Sequence, residues 1–243
     1  ELPWRLGADF FYRHLLDGDP ASNTLGWRWV AGLHTRGKPY HAQAWNIAKF
    51  TNNRFNPRTV ELAEVVEGLE IEEPDGLPRV TPIRAVQAPD PNRPTLLLAS
   101  EEDCRPEDFD LSSLNFVGCA TLVASHLRSP RPVAPLVEEF ERGALSDIAS
   151  RIGLEATELR AGKPADLARW ASRLGVTQIA TPYIPTSPLR DWILEAMPAL
   201  EEAEIGLVEW RRDWDSAIWP HATAGFFKVK KQIPAIMKGI GLT

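Results

Sequence analysis

The sequence predicts an α+α/β protein: a helical amino-terminal segment followed by a doubly wound, mostly parallel α/β domain. Three observations carry this expectation. Apolar residues recur at helical spacing between Ala8 and Leu16. Beyond residue 94, short apolar runs alternate with amphipathic stretches, the rhythm of a parallel sheet covered by helices. Between the two regions, Glu70 to Pro94 holds six prolines, the pattern of a linker. The chain has 243 residues, 44% of them hydrophobic, which is enough to bury a sizeable core and excludes disorder over most of the length. Its expected divisions are a helical part over 1–68, a Pro-rich linker over 69–94 and a Rossmann-like α/β domain over 95–243.

The first helix is marked by Ala8, Phe11, Tyr12, Leu15 and Leu16 on one face, and Asp17-Gly18 ends it. Asp19-Pro20 starts another, with Asp at the N-cap and Pro at the first helical position; it should run to about Ala31, where Gly32 stops it. Residues 33–58 read as a structured loop with one helical turn, and 59–67 as a short helix closed by Gly68. In the second region, Thr95–Ala99, Ala120–Ala124, Val176–Ala180 and Ile205–Val208 are expected strands. Val133–Ile152, Ala165–Leu174 and a stretch from Ser187-Pro188 to about Leu200 are expected helices. Trp210, Trp214 and Trp219 recur every four or five residues and are expected to pack a last helix.

The net charge of −6 argues against a chain that coats nucleic acid along its whole length. The charge is uneven, however. Residues 1–60 carry eight Lys and Arg against four Asp and Glu, while 61–243 carry nineteen against twenty-nine. No uninterrupted apolar run is long enough for a membrane helix, and the amino end has no signal-peptide pattern. Cys104 and Cys119 share no metal-ligand spacing. A cytoplasmic monomer is the expectation. His126 and His221 lack metal-spaced partners, and Ser100 lacks the glycines of a nucleophile elbow. Lys228, Lys230, Lys231 and Lys238 read as a solvated basic face. There is no Gly-x-Gly-x-x-Gly and no phosphate loop, so an ordinary dinucleotide site is unsupported.

The chemically informative stretch is Asp17-Gly18-Asp19-Pro20-Ala21-Ser22-Asn23-Thr24-Leu25-Gly26-Trp27-Arg28-Trp29. Asn23 and Trp27 lie one helical turn apart on one face, and Gly26 leaves room beside the indole. Two carboxylates, a carboxamide that donates and accepts, and an indole π-face suit a polar heteroaromatic cofactor. The same residues also suit a capped turn followed by core tryptophans.

Trp4-Arg5-Leu6-Gly7, Leu15-Leu16-Asp17-Gly18-Asp19, Asn23, Gly26-Trp27-Arg28-Trp29 and Phe55-Asn56-Pro57 together resemble the photolyase/cryptochrome family, at the carboxyl end of its FAD-binding helical domain. The resemblance implies FAD as cofactor, with Asp17, Gly18 and Asp19 at its edge and Asn23 facing flavin N5. It implies electron transfer through Trp27, nearest the flavin, and Trp4, the middle tryptophan of the chain. Trp29 would stack on a flipped pyrimidine lesion. The implied activity is light-driven splitting of cyclobutane pyrimidine dimers in DNA, a carbon–carbon lyase reaction. A cryptochrome-like photosensor and a non-catalytic α/β interaction module are the other readings. Arg28, Arg36, Lys38, Lys49, Arg54 and Arg58 could hold phosphates near the pocket mouth.

The resemblance departs from the family in two ways. The helices that supply the phosphate contacts and outermost tryptophan do not precede the motif, so the chain is expected to be the carboxyl-terminal portion of a longer protein, inactive alone. An α/β region also follows the flavin segment instead of preceding it. Leu159-Arg160-Ala161-Gly162, Gly175 to Ala180, Tyr183-Ile184-Pro185 and Phe226 to Pro234 loosely resemble the family's antenna domain, which implies a chromophore there of unknown identity.

Overall fold

The computed structural model describes residues 4–15, 43–62, 82–223 and 226–242. The chain divides into two units, one of residues 1–79 with 131–134, the other of 80–130 with 135–243.

In the first unit, helix α1 spans Trp4–His14. It starts a turn before the expected Ala8 because it runs through Gly7, a residue that costs a helix only about 1 kcal/mol. Helix α2 spans Ala44–Phe50, two turns where one was expected. It ends at Asn52 and Asn53, both left-handed (φ 51° and 60°), a conformation asparagine tolerates better than most residues. Asn53 N–H closes back on the Ala48 carbonyl at 2.7 Å. The expected helix over 59–67 is a 3₁₀ turn at Thr59–Glu61, and its remainder from 63 lies outside the described residues. The expected helix Pro20–Ala31 lies outside them as well.

The second unit is built on five parallel strands: β1 Thr95–Ser100, β2 Phe116–Val123, β3 Ala156–Arg160, β4 Gln178–Pro182 and β5 Gly206–Trp210. Their order is β3-β2-β1-β4-β5, so the chain winds outward from β1 in both directions. Leu97 pairs in register with Cys119 on one side and Ala180 on the other, and Ala180 with Val208. Every residue of β1 and of β4 is buried, as expected of central strands covered on both faces. Helix α3 (Pro135–Ile152) covers one face, packing Leu145 and Ile148 on Ala99 and Val123. Helices α4 (Ala165–Arg173) and α5 (Pro188–Glu202) cover the other over the larger cluster, which includes Leu96, Leu98, Leu122, Ile179 and Ile193. Ser187 caps α5 by accepting from Arg190 N–H at 3.2 Å, with Pro188 at the first helical position. Gly175 stops α4 in the left-handed region at φ 68°. Helices α6 (Asp213–Ile218), α7 (Phe226–Lys230) and α8 (Ile233–Gly239) follow the sheet.

Residues 82–94, the carboxyl half of the expected linker, are fastened to the sheet. Glu209 N–H on β5 donates to the Gln87 carbonyl at 3.2 Å, and Asp90 N–H donates to Gln178 Oε1 at 3.0 Å. The prolines suit this role, since an extended segment along an edge strand needs few N–H donors. Strand β3 was not expected. Its Thr157, Glu158 and Arg160 are exposed, so an edge position leaves it without an apolar run to read.

Candidate functional site

Trp4 opens helix α1. Asp17, Gly18, Asp19, Asn23, Trp27 and Trp29, and with them Arg28, Arg36 and Lys38, lie outside the described residues. Three of the expected phosphate-holding cations are described. The Lys49 ammonium lies 5.5 Å from the Phe50 ring centre and the Arg54 guanidinium 5.2 Å from that of Phe55. Arg58 pairs with Glu61 at 3.0 Å. Around them the first unit presents aromatic surface: Phe10 is 57% exposed, Trp45 62% and Phe50 77%.

The second unit holds a cavity of about 440 Å³ at the carboxyl ends of β1, β4 and β5. In the strand order this is the point where the winding reverses, between β1 and β4, the usual crevice for ligands in an open α/β sheet. Two aromatic pairs form its walls. Phe109, from the loop after β1, stacks on Trp210 at the end of β5, with ring centres 5.4 Å apart and planes 15° from parallel. Tyr183, just past β4, meets Trp219 edge to face at 5.3 Å. Arginines cover both: Arg84 lies 4.3 Å over Tyr183, and Arg212 lies 4.8 Å over Phe109.

The cations at this cavity are already engaged by carboxylates or backbone. Arg212 donates to Asp103 through both terminal nitrogens, to Asp108 Oδ2 at 3.3 Å and to the Arg105 carbonyl at 2.8 Å. The hydrogen bonds it donates to Asp103 push its already high pKa further up. Arg105 pairs with Asp108 at 3.0 Å, and Arg211 donates to the Arg84 carbonyl at 2.5 Å. The result is a flat-walled, charge-balanced slot suited to a planar ring rather than to a polyphosphate. Cys104 also lines it, its thiol pKa raised by burial and by the nearby charges of Asp103 and Glu101.

Sequence reasoning missed this slot. Trp210, Trp214 and Trp219 do not pack a last helix as expected: they sit on β5, on α6 and on the turn after it, and Trp214 and Trp219 are 44% and 40% exposed. Their four-and-five spacing spans a strand end and a new helix start, so it is not one helical face. The resemblance of Tyr183-Ile184-Pro185 to an antenna domain was the only pointer toward it.

Behind the β1 loop lies a buried ionic cluster. Glu141 on α3 is 2% exposed and accepts from the N–H groups of Ala124 and Ser125 at 2.5 and 2.9 Å, and from the Ser125 hydroxyl. Glu101, just past β1, accepts from Arg128 at 3.1 Å. Burial and then the Glu141 charge raise the Glu101 pKa to about 7, against the opposing pull of Arg128. His126 is fixed by its Nε2, 2.9 Å from the Ala161 carbonyl. The lysines at 228, 230, 231 and 238 are exposed, and no helix among the described residues is long and apolar enough to cross a membrane.

Residues 1–61 match the family model described as the FAD binding domain of DNA photolyase. Curated relatives agree. The chain is 49% identical over 39 residues to the deoxyribodipyrimidine photo-lyase of Alkalihalophilus pseudofirmus, covering 16% of this chain and 8% of that protein. It is 41% identical over 80 residues to the enzyme of that name from Streptomyces griseus, covering 30% and 17%. To that of Escherichia coli it is 44% identical over 39 residues, covering 16% and 8%. The chain thus spans less than a fifth of the length of these relatives. The matched segment contains the whole Asp17 to Trp29 motif, so residues 1–61 are similar to part of the FAD-binding domain of DNA photolyase.

Proposed function

We propose that the chain is part of a light-driven flavoprotein of the photolyase type, acting on cyclobutane pyrimidine dimers in DNA. The observation that carries this reading is the family match over residues 1–61, which contains the acid, amide and indole motif at its expected spacing. FAD, when bound and reduced, supplies the electron that opens the dimer under light. The donor set fits the ring and ribose of that cofactor. Asp17 and Asp19 accept from ring or sugar donors, Asn23 offers a carboxamide to flavin N5, and Trp27 and Trp4 offer easily oxidised indoles for electron transfer. Trp29 stacks on the extruded pyrimidine and offsets part of the cost of unstacking it.

The motif supplies no cation of its own for the diphosphate apart from Arg28, and the described helices of the first unit expose Phe10, Trp45 and Phe50. Both features support a reading in which further helices of an FAD-binding domain complete the pocket. The aromatic slot of the second unit, with flat walls and neutralised arginines, is the candidate seat of an antenna chromophore serving the flavin.

The test is reconstitution. Expressed alone, the chain should retain no flavin; co-expressed with the preceding helices of a photolyase FAD-binding domain, it should show blue absorbance and remove dimers from an irradiated oligonucleotide in light. Trp27→Phe should then abolish light-driven reduction of the flavin while leaving repair by chemically pre-reduced protein intact. Flavin retention without repair would favour the photosensor reading, and no retention in either arrangement would leave an interaction module.

A further inference from the structure

A second cavity, of about 430 Å³, runs along α4 over β2 and β3. Its floor is apolar: Leu122, Leu159, Leu167 and Trp192. Trp192 is held in place by its indole N–H, which donates to the Gly162 carbonyl at 2.7 Å. Its rim has a different chemistry. Asp166, Arg169, Trp170 and Arg173 come from one face of α4, with Trp170 four residues after Asp166 and Arg173 four after Arg169, and Arg160 comes from the end of β3.

Three guanidinium groups therefore face one carboxylate, in a stretch of chain where acids outnumber bases by twenty-nine to nineteen. Asp166 is taken by Arg169. Arg160 has only the loose Glu138 contact at 3.8 Å, and Arg173 has no ion-pair partner among the described residues. Two cations are thus left for a ligand. Trp170, one helical turn before Arg173, is half-buried, and its indole N–H makes no hydrogen bond among the described residues. An aromatic face beside an uncommitted guanidinium suits a planar base joined to an anion, since Arg binds phosphate through parallel N–H groups and indoles stack on any base. The volume is at the low end of small-ligand pockets and matches one nucleotide.

We infer that this cleft binds a nucleoside monophosphate, its base against Trp170 and its phosphate on Arg173, one helical turn along α4. The site is separate from the aromatic slot at β1, β4 and β5, whose arginines are neutralised, and its occupancy does not depend on flavin or on light.

Titration calorimetry of 5′-AMP into the full 243-residue chain at low salt tests it. Binding should be detectable with a Kd of roughly 10–1,000 μM. Arg173→Glu, an exposed change that leaves the core untouched, should weaken it by about tenfold or more. Trp170→Leu should weaken it comparably while thermal unfolding shows the fold intact, and inorganic phosphate should bind at least about tenfold more weakly than AMP. Four results would overturn the inference. These are no heat at millimolar AMP, an affinity unchanged by Arg173→Glu, phosphate binding as tightly as AMP, or a dT8 oligonucleotide binding where AMP neither binds nor competes.

Discussion

The two units of this chain divide legibility from self-sufficiency. Residues 1–61 carry the motif that a family comparison recognises, yet α2 buries none of its seven residues and Phe50 is 77% exposed. The second unit lies outside that match, yet Leu96, Leu97, Leu98 and Ala99 are fully buried in consecutive positions of β1. Chemistry is conveyed by a few residue types at fixed spacing, and needs no core around it to be read. A core is conveyed by apolar runs, and says nothing of chemistry. The stability of the chain should therefore reside in the second unit, while its proposed light chemistry resides in the first.

The strongest way to break this contrast is to detach the segment that begins the second unit. The Glu209 carboxylate is 7% exposed and accepts from Arg84 at 2.6 Å and from Ile184 N–H at 3.0 Å, with Arg190 at 3.8 Å. Glu209→Ala leaves the two arginines and that N–H facing a void, and should lower the unfolding free energy by about 3 kcal/mol in urea denaturation. Glu209→Gln should cost less, because the amide oxygen still accepts. If the alanine variant matches the parent, residues 82–94 contribute nothing to the unit and the boundary belongs nearer Thr95.

A paired comparison sharpens the same point. Leu98→Ala and Ile193→Ala remove fully buried side chains on and over the larger face of the sheet, and each should cost about 2–5 kcal/mol. Trp45→Ala and Phe50→Ala remove larger but mostly exposed side chains, and each should shift unfolding by about 0.5 kcal/mol or less. Equal costs in the two sets would mean that the first unit's aromatics are as stabilising as the core, and the contrast would fail.

These expectations also show where the sequence could be read and where it could not. Strands β1 and β4 were legible because both their faces are covered, leaving an apolar run with no polar interruption. Helices α4 and α5 were legible from Pro164, Ser187-Pro188 and Gly175, residues whose backbone preferences act locally. Strand β3 was not, because an edge strand shows half its residues to water and carries Thr157 and Glu158. The aromatic slot was illegible for a different reason. Phe109 after β1, Tyr183 after β4, Trp210 at the end of β5 and Trp219 after α6 are brought together only by the β3-β2-β1-β4-β5 order, and no spacing along the chain encodes that order. The Asp17 to Trp29 motif is the converse case: its residues fall within one short stretch of sequence, so it can be recognised as a pattern without any fold.

The remaining effect is the dependence of the second unit's stability on pH, and its sign can be worked out. Glu101 has its pKa raised from 4.5 to about 7, first by burial and then by the charge of Glu141, while Arg128 at 3.1 Å pulls the other way. Below the unfolded value both folded and unfolded chains hold the proton, and the group contributes no slope. Between about 4.5 and about 7 only the folded chain holds it, so stability falls as pH rises, by on the order of 3 kcal/mol at most. Above that range both states are ionised and the loss is complete. Glu101→Gln mimics the protonated side chain at every pH. Chemical denaturation should thus find the variant equal to the parent near pH 4.5 and progressively more stable toward pH 8. The opposite trend, with the glutamine variant less stable at pH 8, would mean that the attraction of Arg128 outweighs burial and Glu141 together. Glu101 would then be ionised throughout, and the ionic cluster behind the β1 loop would strengthen the core instead of taxing it.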